Sequence, residues 1–177
     1  RPGAEGHLVE IVGVNTGAVQ GYSLSMSYEA DYVSPITFTM ENTITELLQA
    51  EFFQPVINID LEYMVLGVLL DMIPPLDGQV IPASGLGIPY CFLEVDILQE
   101  AINVEQTYID FVDGLGLPPV SNVFVINNQS ISPTTVGGAI HIQAYPEFIR
   151  GEVNFDGRVN ITDAVTLGLY LNALWNR

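Results

Sequence analysis

The strongest constraint on the fold is a strict alternation of side-chain size in residues 22–28, Tyr-Ser-Leu-Ser-Met-Ser-Tyr. Successive side chains of a β-strand point to opposite faces, so the large residues of this segment share one face and its serines the other. Residues 36–41, Ile-Thr-Phe-Thr-Met-Glu, repeat the pattern. One buried and one solvent-facing side is typical of antiparallel sheets, and the alternation therefore predicts a largely all-β fold.

Further short apolar runs complete the set of predicted strands. Prolines stand between these runs or at their first residues, where a missing N–H is tolerated. Eight or nine such strands predict an antiparallel β-sandwich or jelly roll over residues 1–147. Residues 42–53 have nearly helical apolar spacing, so they form either a short helix across one end of the sandwich or a strand plus a loop. The further runs are Leu8–Val14, Ile57–Leu70, Tyr90–Leu98, Thr107–Val112, Val123–Asn127 and Ala139–Ala144.

The charge balance excludes two classes of partner. Only 14% of the residues are charged, but four Arg stand against 21 Asp plus Glu, for a net charge of −17. Such a surface repels phosphate backbones and anionic lipid headgroups, and the sequence contains no apolar run of about 18 residues. We therefore expect neither nucleic acid binding nor membrane insertion, whereas divalent cations are favoured.

The sequence also indicates a location. It opens Arg1-Pro2-Gly3 without Met or a signal peptide, as a mature, processed product would, although an artificial boundary would look the same. The acidity and the lack of Lys suit a calcium-rich or salty exterior, where counterions screen self-repulsion. These two features predict an extracellular or cell-surface protein.

The residues that enzymes use for catalysis are scarce. A single cysteine, Cys91, and two histidines, His7 and His141, provide no disulfide, zinc cluster or nucleophile–base pair, and there is no Gly-x-Ser-x-Gly motif. Cys91 lies in an apolar run and is interpreted as a small buried hydrophobe. Paired carboxylates could serve a glycosidase, but an acidic chain produces such pairs by chance. We therefore expect a protein that is not an enzyme and has no catalytic residues.

A stretch of oxygen-bearing residues near the C-terminus has the ligand spacing of an EF-hand loop. Ca²⁺ takes about six to eight oxygen ligands, supplied by side chains at positions 1, 3, 5, 9 and 12 and by a backbone carbonyl at position 7. Gly157, at position 6, permits the sharp turn that such a loop needs. The predicted metal ligands, in the order of these positions, are Glu152, Asn154, Asp156, Arg158 through its carbonyl, Asn160 and Asp163.

Two positions of this loop depart from the usual pattern. Position 1 is Glu152 rather than Asp, and position 12 is Asp163 rather than a bidentate Glu. The alternative interpretation is an Asn/Asp/Gly turn before a helix, with Thr162 or Asp163 as its N-cap. Val159 supplies the customary apolar residue at position 8, and the six matching positions favour calcium.

Residues 151–165, Gly-Glu-Val-Asn-Phe-Asp-Gly-Arg-Val-Asn-Ile-Thr-Asp-Ala-Val, resemble one repeat of a dockerin. In that family Asn at position 9 and Asp at position 12 are normal, which removes the second departure. Dockerins usually carry two such repeats packed as a pair, whereas this chain has one. The resemblance implies a calcium-stapled loop and helix over residues 148–177, with Ca²⁺ as the bound ion.

Residues 17–145 resemble, more loosely, the cohesin-like β-sandwich modules found beside dockerin repeats in secreted bacterial proteins. The likeness lies in residues 17–24, Gly-Ala-Val-Gln-Gly-Tyr-Ser-Leu, and in residues 119–125, Pro-Val-Ser-Asn-Val-Phe-Val. It implies a cohesin-like sandwich over residues 1–147 and a protein partner.

The helical stretch from Ala164 to about Trp175 is apolar along two stripes rather than one. A helix this short is marginal alone in water, and a large exposed apolar patch marks an interaction site. The helix therefore either folds back on its own sandwich or docks on another molecule. The residues predicted to dock are Val165, Leu167, Leu169, Tyr170, Leu171, Leu174 and Trp175.

The docking partner is expected to be a further copy of the chain or another cohesin-like module. Between copies the contact would be head to tail, and such contacts build open filaments unless the rotation closes a ring. The alternative is a carbohydrate-binding module, because β-sandwiches with aromatic platforms bind glycans. The one Trp is Trp175 on the helix, and the tyrosines are interpreted as core or rim residues: Tyr22, Tyr28, Tyr32, Tyr63, Tyr90 and Tyr108.

Overall fold

The computed structural model describes residues 1–143, Val153, and the stretch 160–175, in which side chains are described for 160–169 and 171. The chain divides into two compact units, Arg1–Gln143 and Ala144–Arg177. The first unit contains all the strands among the described residues, and the second contains a helix. No helix among the described residues is long and apolar enough to cross a membrane.

The first unit consists of ten strands, a short α-helix and one turn of 3₁₀-helix. Strands of three to fourteen residues follow one another with few helical interruptions, which agrees with the all-β prediction. The elements are β1 (His7–Asn15), β2 (Val19–Tyr28), β3 (Val33–Thr39), α1 (Ile44–Leu47), β4 (Phe52–Asn58), β5 (Tyr63–Leu69), β6 (Ser84–Ile97), a 3₁₀-helix (Gln99–Asn103), β7 (Gln106–Phe111), β8 (Val123–Ile126), β9 (Gln129–Ile131) and β10 (Gly138–His141); the second unit contains α2 (Ile161–Trp175).

The strands form two antiparallel sheets. Sheet A has the order β1-β6-β3, and sheet B has the order β10-β7-β2-β5-β4, with β8 beside β2 and β9 beside β8. Strand β2 is central to sheet B: one edge pairs with β5 over residues 21–27, and the other is shared by β8, over residues 19–23, and β7, over residues 26–28. The two sheets pack with one buried apolar cluster between them.

The alternation in β2 directs its large residues into the core. Tyr22, Leu24, Met26 and Tyr28 are all buried in the cluster between the sheets. The prediction that the serines face solvent is wrong for Ser25, which is fully buried. The reason is that residues 112–122, which form the β7–β8 loop, cross the outer face of sheet B at this point.

The side chain of Asn122 holds that loop in place by making the two backbone hydrogen bonds that a neighbouring strand would make. Its amide oxygen accepts the Ser25 N–H at 2.8 Å, and its amide nitrogen donates to the Ser25 carbonyl at 3.1 Å. The Asp113 carboxylate in turn accepts bonds from the backbone and side chain of Asn122. Asn122 thus provides hydrogen-bond partners for the β2 backbone in the gap between β7 and β8, where an unpaired buried backbone group would be costly.

A second buried polar network anchors α1 at one end of the sandwich. The Thr45 hydroxyl donates to the Tyr90 carbonyl at 2.6 Å and is 2.9 Å from the Tyr22 hydroxyl. The Tyr90 hydroxyl donates to Asn15, at the end of β1. Residues 42–53 therefore contain both a short helix and the beginning of β4, so each of the two interpretations was correct in part.

Two predicted boundaries differ in the structure. The run Ile57–Leu70 is not one strand but the end of β4, a turn, and all of β5, because Asn58 accepts the Leu61 N–H and Glu62 takes a left-handed φ of 52°. The C-terminal helix begins at Ile161 rather than at Ala164. In both places, polar residues that bond their own backbone mark the boundary.

Candidate functional site

The outer face of sheet B is broad and carries few charges. Along β2, β5 and β4 its residues are small, apolar or uncharged, and Ser23 and Gly67 lie side by side at its centre. On these three strands its exposed large apolar residues are Val56 and Leu69, and β7 adds the exposed Tyr108 and Asp110 to the same face. The β7–β8 loop crosses this face close to β5, where a Cβ on Gly116 would lie 3.6 Å from a Val65 methyl group.

The outer face of sheet A has a different character. Exposed apolar side chains of β1, including Leu8 and Val12, alternate there with the exposed Glu10. The neighbouring strand β6 contributes Glu94, opposite Leu8, and Asp96. A partner that covers this face must remove carboxylates from water, which costs free energy unless they are paired.

The buried titratable groups of the sandwich are inert. Burial raises the pKa of the Cys91 thiol to about 12, and a hydrogen bond with Tyr22 only partly offsets that effect. Burial likewise raises the pKa of Tyr90 to about 12, and raises that of Tyr22 with a smaller contribution from Cys91. A thiol that remains protonated at neutral pH is a poor nucleophile, so Cys91 is the small buried residue that its apolar run predicted.

Most of the tyrosines are core residues, as predicted. Tyr22, Tyr28, Tyr63 and Tyr90 are buried, and Tyr108 is exposed on β7. Within residues 1–143 the tyrosines do not form an exposed platform of the kind that stacks on a sugar ring. The side chain of Trp175 lies outside the described residues, so its predicted role in docking stays a prediction.

In the second unit, the side chains of two predicted ligands accept backbone hydrogen bonds at the beginning of α2. The Asn160 side chain accepts the Thr162 N–H at 2.8 Å, and the Asp163 carboxylate accepts the Asn160 N–H at 2.7 Å. This is the geometry of a capping box, with Asn160 rather than Thr162 or Asp163 in the N-cap position. The sequence-based alternative therefore assigned the N-cap to the wrong residues.

Asp163 also joins α2 to the beginning of the predicted loop. Its other carboxylate oxygen accepts the Val153 N–H at 2.7 Å, and the side chain is only 2% exposed. Residues 153, 160 and 163, which are positions 2, 9 and 12 of the loop, are thereby brought together. Four predicted ligands, Glu152, Asn154, Asp156 and Arg158, lie outside the described residues.

The docking residues predicted on α2 fall into two groups. Val165, Leu167, Leu169 and Leu171 are 44–66% exposed, and they belong to both predicted stripes. Tyr170, Leu174 and Trp175 lie within α2, but their side chains are outside the described set. Ile161, the first residue of α2, is also exposed, so the described part of the helix presents five large apolar side chains.

Comparison with known proteins identifies the fold of the sandwich. The sixth cohesin of scaffoldin B from Acetivibrio cellulolyticus, solved in complex with a mutant Cel5 dockerin, matches with a TM-score of 0.61 at 12% identity, over 81% of this chain and 92% of that chain. The seventh ScaB type I cohesin from Pseudobacteroides cellulosolvens matches with a TM-score of 0.58 at 11% identity, over 84% and 90%. A type I cohesin–dockerin complex from Clostridium thermocellum gives 0.57 at 16%, over 81% and 92%.

These likenesses show that the sandwich has the cohesin fold. No family model and no curated protein matches the sequence. The cohesin fold agrees with the expectation that the chain is not an enzyme, and the partners seen with two of these neighbours are proteins. The cohesin part of the predicted resemblance is therefore confirmed at the level of fold.

Sequence reasoning missed the residues that organise the outer face of sheet B. Asp113 and Asn122 lie between two predicted strands; residues 119–125 were used for the cohesin resemblance, but neither side chain was given a role. The available signal was their residue type, because Asn and Asp often bond nearby backbone. Which strand these side chains would meet depends on a contact 97 residues away in the chain, and local patterns cannot supply that distance.

Proposed function

We propose that the chain is a non-enzymatic, extracellular assembly protein that associates with other proteins in a calcium-dependent way. Its C-terminal helix docks on the sandwich of a neighbouring copy, and repetition of this contact builds a head-to-tail filament. The observation that carries the proposal is the presence, in one chain, of a cohesin-fold sandwich and a C-terminal helix with five exposed large apolar side chains.

The chemistry of the predicted loop fits Ca²⁺. Glu152, Asn154, Asp156, Asn160 and Asp163 offer hard oxygen ligands, which Ca²⁺ prefers to nitrogen or sulfur. The buried Asp163 carboxylate, at position 12, accepts the backbone N–H groups of positions 2 and 9 of the loop. A bound ion would neutralise several of these carboxylates at once and hold the loop against the first turn of α2.

The outer face of sheet B suits this helix better than that of sheet A. Residues 161–175 contain one charged residue, the buried Asp163, so the exposed part of α2 offers no cation to pair with a carboxylate. Docking on sheet A would bury Glu10 and Glu94 without compensation, which is unfavourable. Docking on Val56 and Leu69 removes apolar surface from water, and β2, β4 and β5 contain no Asp or Glu that would lose its hydration.

Two substitutions would test the direction of assembly. Leu169→Asp would place a charge on the helix, and Val56→Asp would place one on sheet B; both positions are exposed, so each variant should fold. Light scattering in calcium should show higher oligomers for the unmodified chain and monomers for each variant alone. An equimolar mixture should give one-to-one dimers and nothing larger, because each variant retains one functional half of the contact.

Other outcomes would contradict this arrangement. Dimers of the unmodified chain that do not grow with concentration would indicate a closed contact between identical surfaces. Unchanged oligomers in chelator, or after Asp156→Ala has abolished calcium uptake, would separate assembly from the ion. Val12→Asp on sheet A is the matched control and should leave assembly unchanged.

A further inference from the structure

The outer edge of β1 lacks a strand partner among the described residues. Strand β1 is nine residues long and stands at one end of sheet A, where it pairs with β6. An edge strand of this length presents a row of backbone N–H and C=O groups on which another strand can form. This edge is part of the first unit and is distinct from the face proposed to receive the helix.

Two cavities lie along this edge, between β1 and the inner side of sheet B. The first, about 230 Å³, is lined by β1 residues 11–14 and by side chains such as Phe111 and Phe124. The second, about 190 Å³, is lined by β1 residues 9–12 and by Met26 and Phe111. For comparison, a cavity of about 150 Å³ in another protein holds a benzene molecule. Each cavity therefore has room for an apolar side chain.

The two cavities form one slot that follows the strand. They share Ile11, Val12, Phe111 and Val136, so together they accompany β1 from Val9 to Val14. Val136 stands at the opposite rim and is 81% exposed. Its segment, residues 132–137, is not assigned to any strand and does not pair with β1. Within residues 1–143, the slot thus has an unpaired backbone edge on one side and apolar pockets beneath it.

We propose that this slot binds an extended segment of a partner polypeptide, which adds as a fourth strand to sheet A beside β1. Strand addition combines backbone bonds to an exposed edge with pockets that accept alternate side chains. The inward side chains of the added strand occupy the two cavities, so they are apolar and of about the size of Val or Leu. A flat or helical partner would satisfy neither the backbone edge nor the pockets.

Charge specifies the outward side of that strand. Glu10 projects from the middle of β1 and is exposed, and Glu94 lies on the same face of the sheet, opposite Leu8. Opposite charges on neighbouring strands attract, and like charges repel. The partner strand accordingly carries Lys or Arg at an outward position near Glu10 and lacks acidic residues there.

The other edge of sheet A provides an internal contrast. Strand β3 contains Pro35, which has no N–H to donate and which disfavours strand addition. Strand β1 contains no Pro. Strand addition is therefore predicted at β1 and not at β3, although both are edges of the same sheet.

The test uses the full chain in chelator, so that calcium-dependent assembly cannot contribute, and a nine-residue peptide, Thr-Val-Thr-Val-Lys-Val-Thr-Val-Thr. The matched control peptide, Val-Val-Thr-Thr-Lys-Thr-Thr-Val-Val, has the same composition without the alternation. Hydrogen exchange should slow by about tenfold at the β1 amides that do not pair with β6, when the peptide concentration is ten times its dissociation constant. Residues 33–39 should not change, and the control peptide should have no effect.

Two variants distinguish binding in the slot from nonspecific binding to the surface. Val136→Trp should obstruct the slot and abolish the protection, whereas Ile36→Trp on the exposed face of β3 should leave it intact. Glu10→Gln should weaken binding of the Lys-bearing peptide roughly two- to fivefold, as expected for an exposed ion pair. The proposal is overturned if the β1 amides that do not pair with β6 are already protected without peptide, if both edges respond equally, or if the chain alone dimerises through β1.

Discussion

The two units of this chain bury opposite kinds of side chain. The sandwich encloses a cluster of apolar residues that extends from Ile11 to Ile142. Among the side chains described in α2, the buried one is a carboxylate, Asp163, and the large apolar residues are exposed. Apolar burial stabilises a fold by itself, whereas a buried carboxylate is costly unless hydrogen bonds or a cation compensate it.

This contrast indicates where each unit obtains its stability. The sandwich has a closed apolar core, so we expect it to fold without a ligand. The C-terminal unit depends on what its carboxylate contacts, namely two backbone N–H groups in the structure and, in our proposal, a calcium ion. The three predictions below test that division between a self-sufficient sandwich and a unit that relies on its ligand.

The largest effect is expected from a cavity in the sandwich. Leu66, in the middle of β5, is fully buried, and Leu66→Ala should lower the free energy of unfolding by about 2–5 kcal/mol. Urea unfolding of the sandwich measures the loss. Calcium affinity, measured by calorimetry below the unfolding midpoint, should not change. A parallel loss of calcium affinity would mean that the two units fold as one.

Alkaline pH should destabilise the sandwich through its buried acids. Because burial raises the pKa of Cys91 from 9.0 to about 12, the folded state retains a proton that the unfolded chain releases above pH 9. The stability from this group is complete below pH 9 and is lost as the pH rises toward 12, by at most about 1.4 kcal/mol per pH unit. Cys91→Val should reduce this slope in urea midpoints measured at pH 8, 9, 10 and 11.

A second buried acid, Tyr90, limits how much of the alkaline effect the Cys91→Val variant can remove. Tyr90, with its pKa raised to about 12 by burial, contributes to the same loss at somewhat higher pH. A residual slope above pH 10 is therefore expected in the Cys91→Val variant. An unchanged slope between pH 9 and 10 would show that the thiol titrates equally in the folded and unfolded chains, contrary to its burial.

The sequence predicted the sandwich because the large residues that alternate along β2 all lie on its buried face. It did not predict that β2 has two successive neighbours, since that arrangement depends on Asn122 meeting Ser25 across a long loop. The boundary inside Ile57–Leu70 was missed for a related reason. Leu61 is apolar although it lies in an exposed turn, so the apolar run continued through a chain reversal.

The C-terminal unit was read from spacing alone, and spacing has a different limit. It brought Asn160 and Asp163 together correctly, because residues three apart at a helix start meet in space. The capping alternative named Thr162 or Asp163 as the N-cap and did not identify Asn160, whose side chain accepts the Thr162 N–H. A ligand pattern and a capping box require the same residue types at the same interval, and only a measurement with the ion separates the two roles.

The smallest effect, and the most discriminating, is expected for Asp163→Ala. In chelator this variant loses the bonds from Val153 and Asn160, and hydrogen exchange in residues 160–175 should accelerate by an amount equivalent to about 0.5–2 kcal/mol, the usual value of a cap. Thr166→Ala, which removes only an exposed bond to the Thr162 carbonyl, is the matched control. If Asp163 is a cap alone, added calcium changes neither protein. If it is also a ligand, calcium should protect the unmodified helix and the Thr166→Ala helix but not that of Asp163→Ala, while exchange in the sandwich should stay constant in all three.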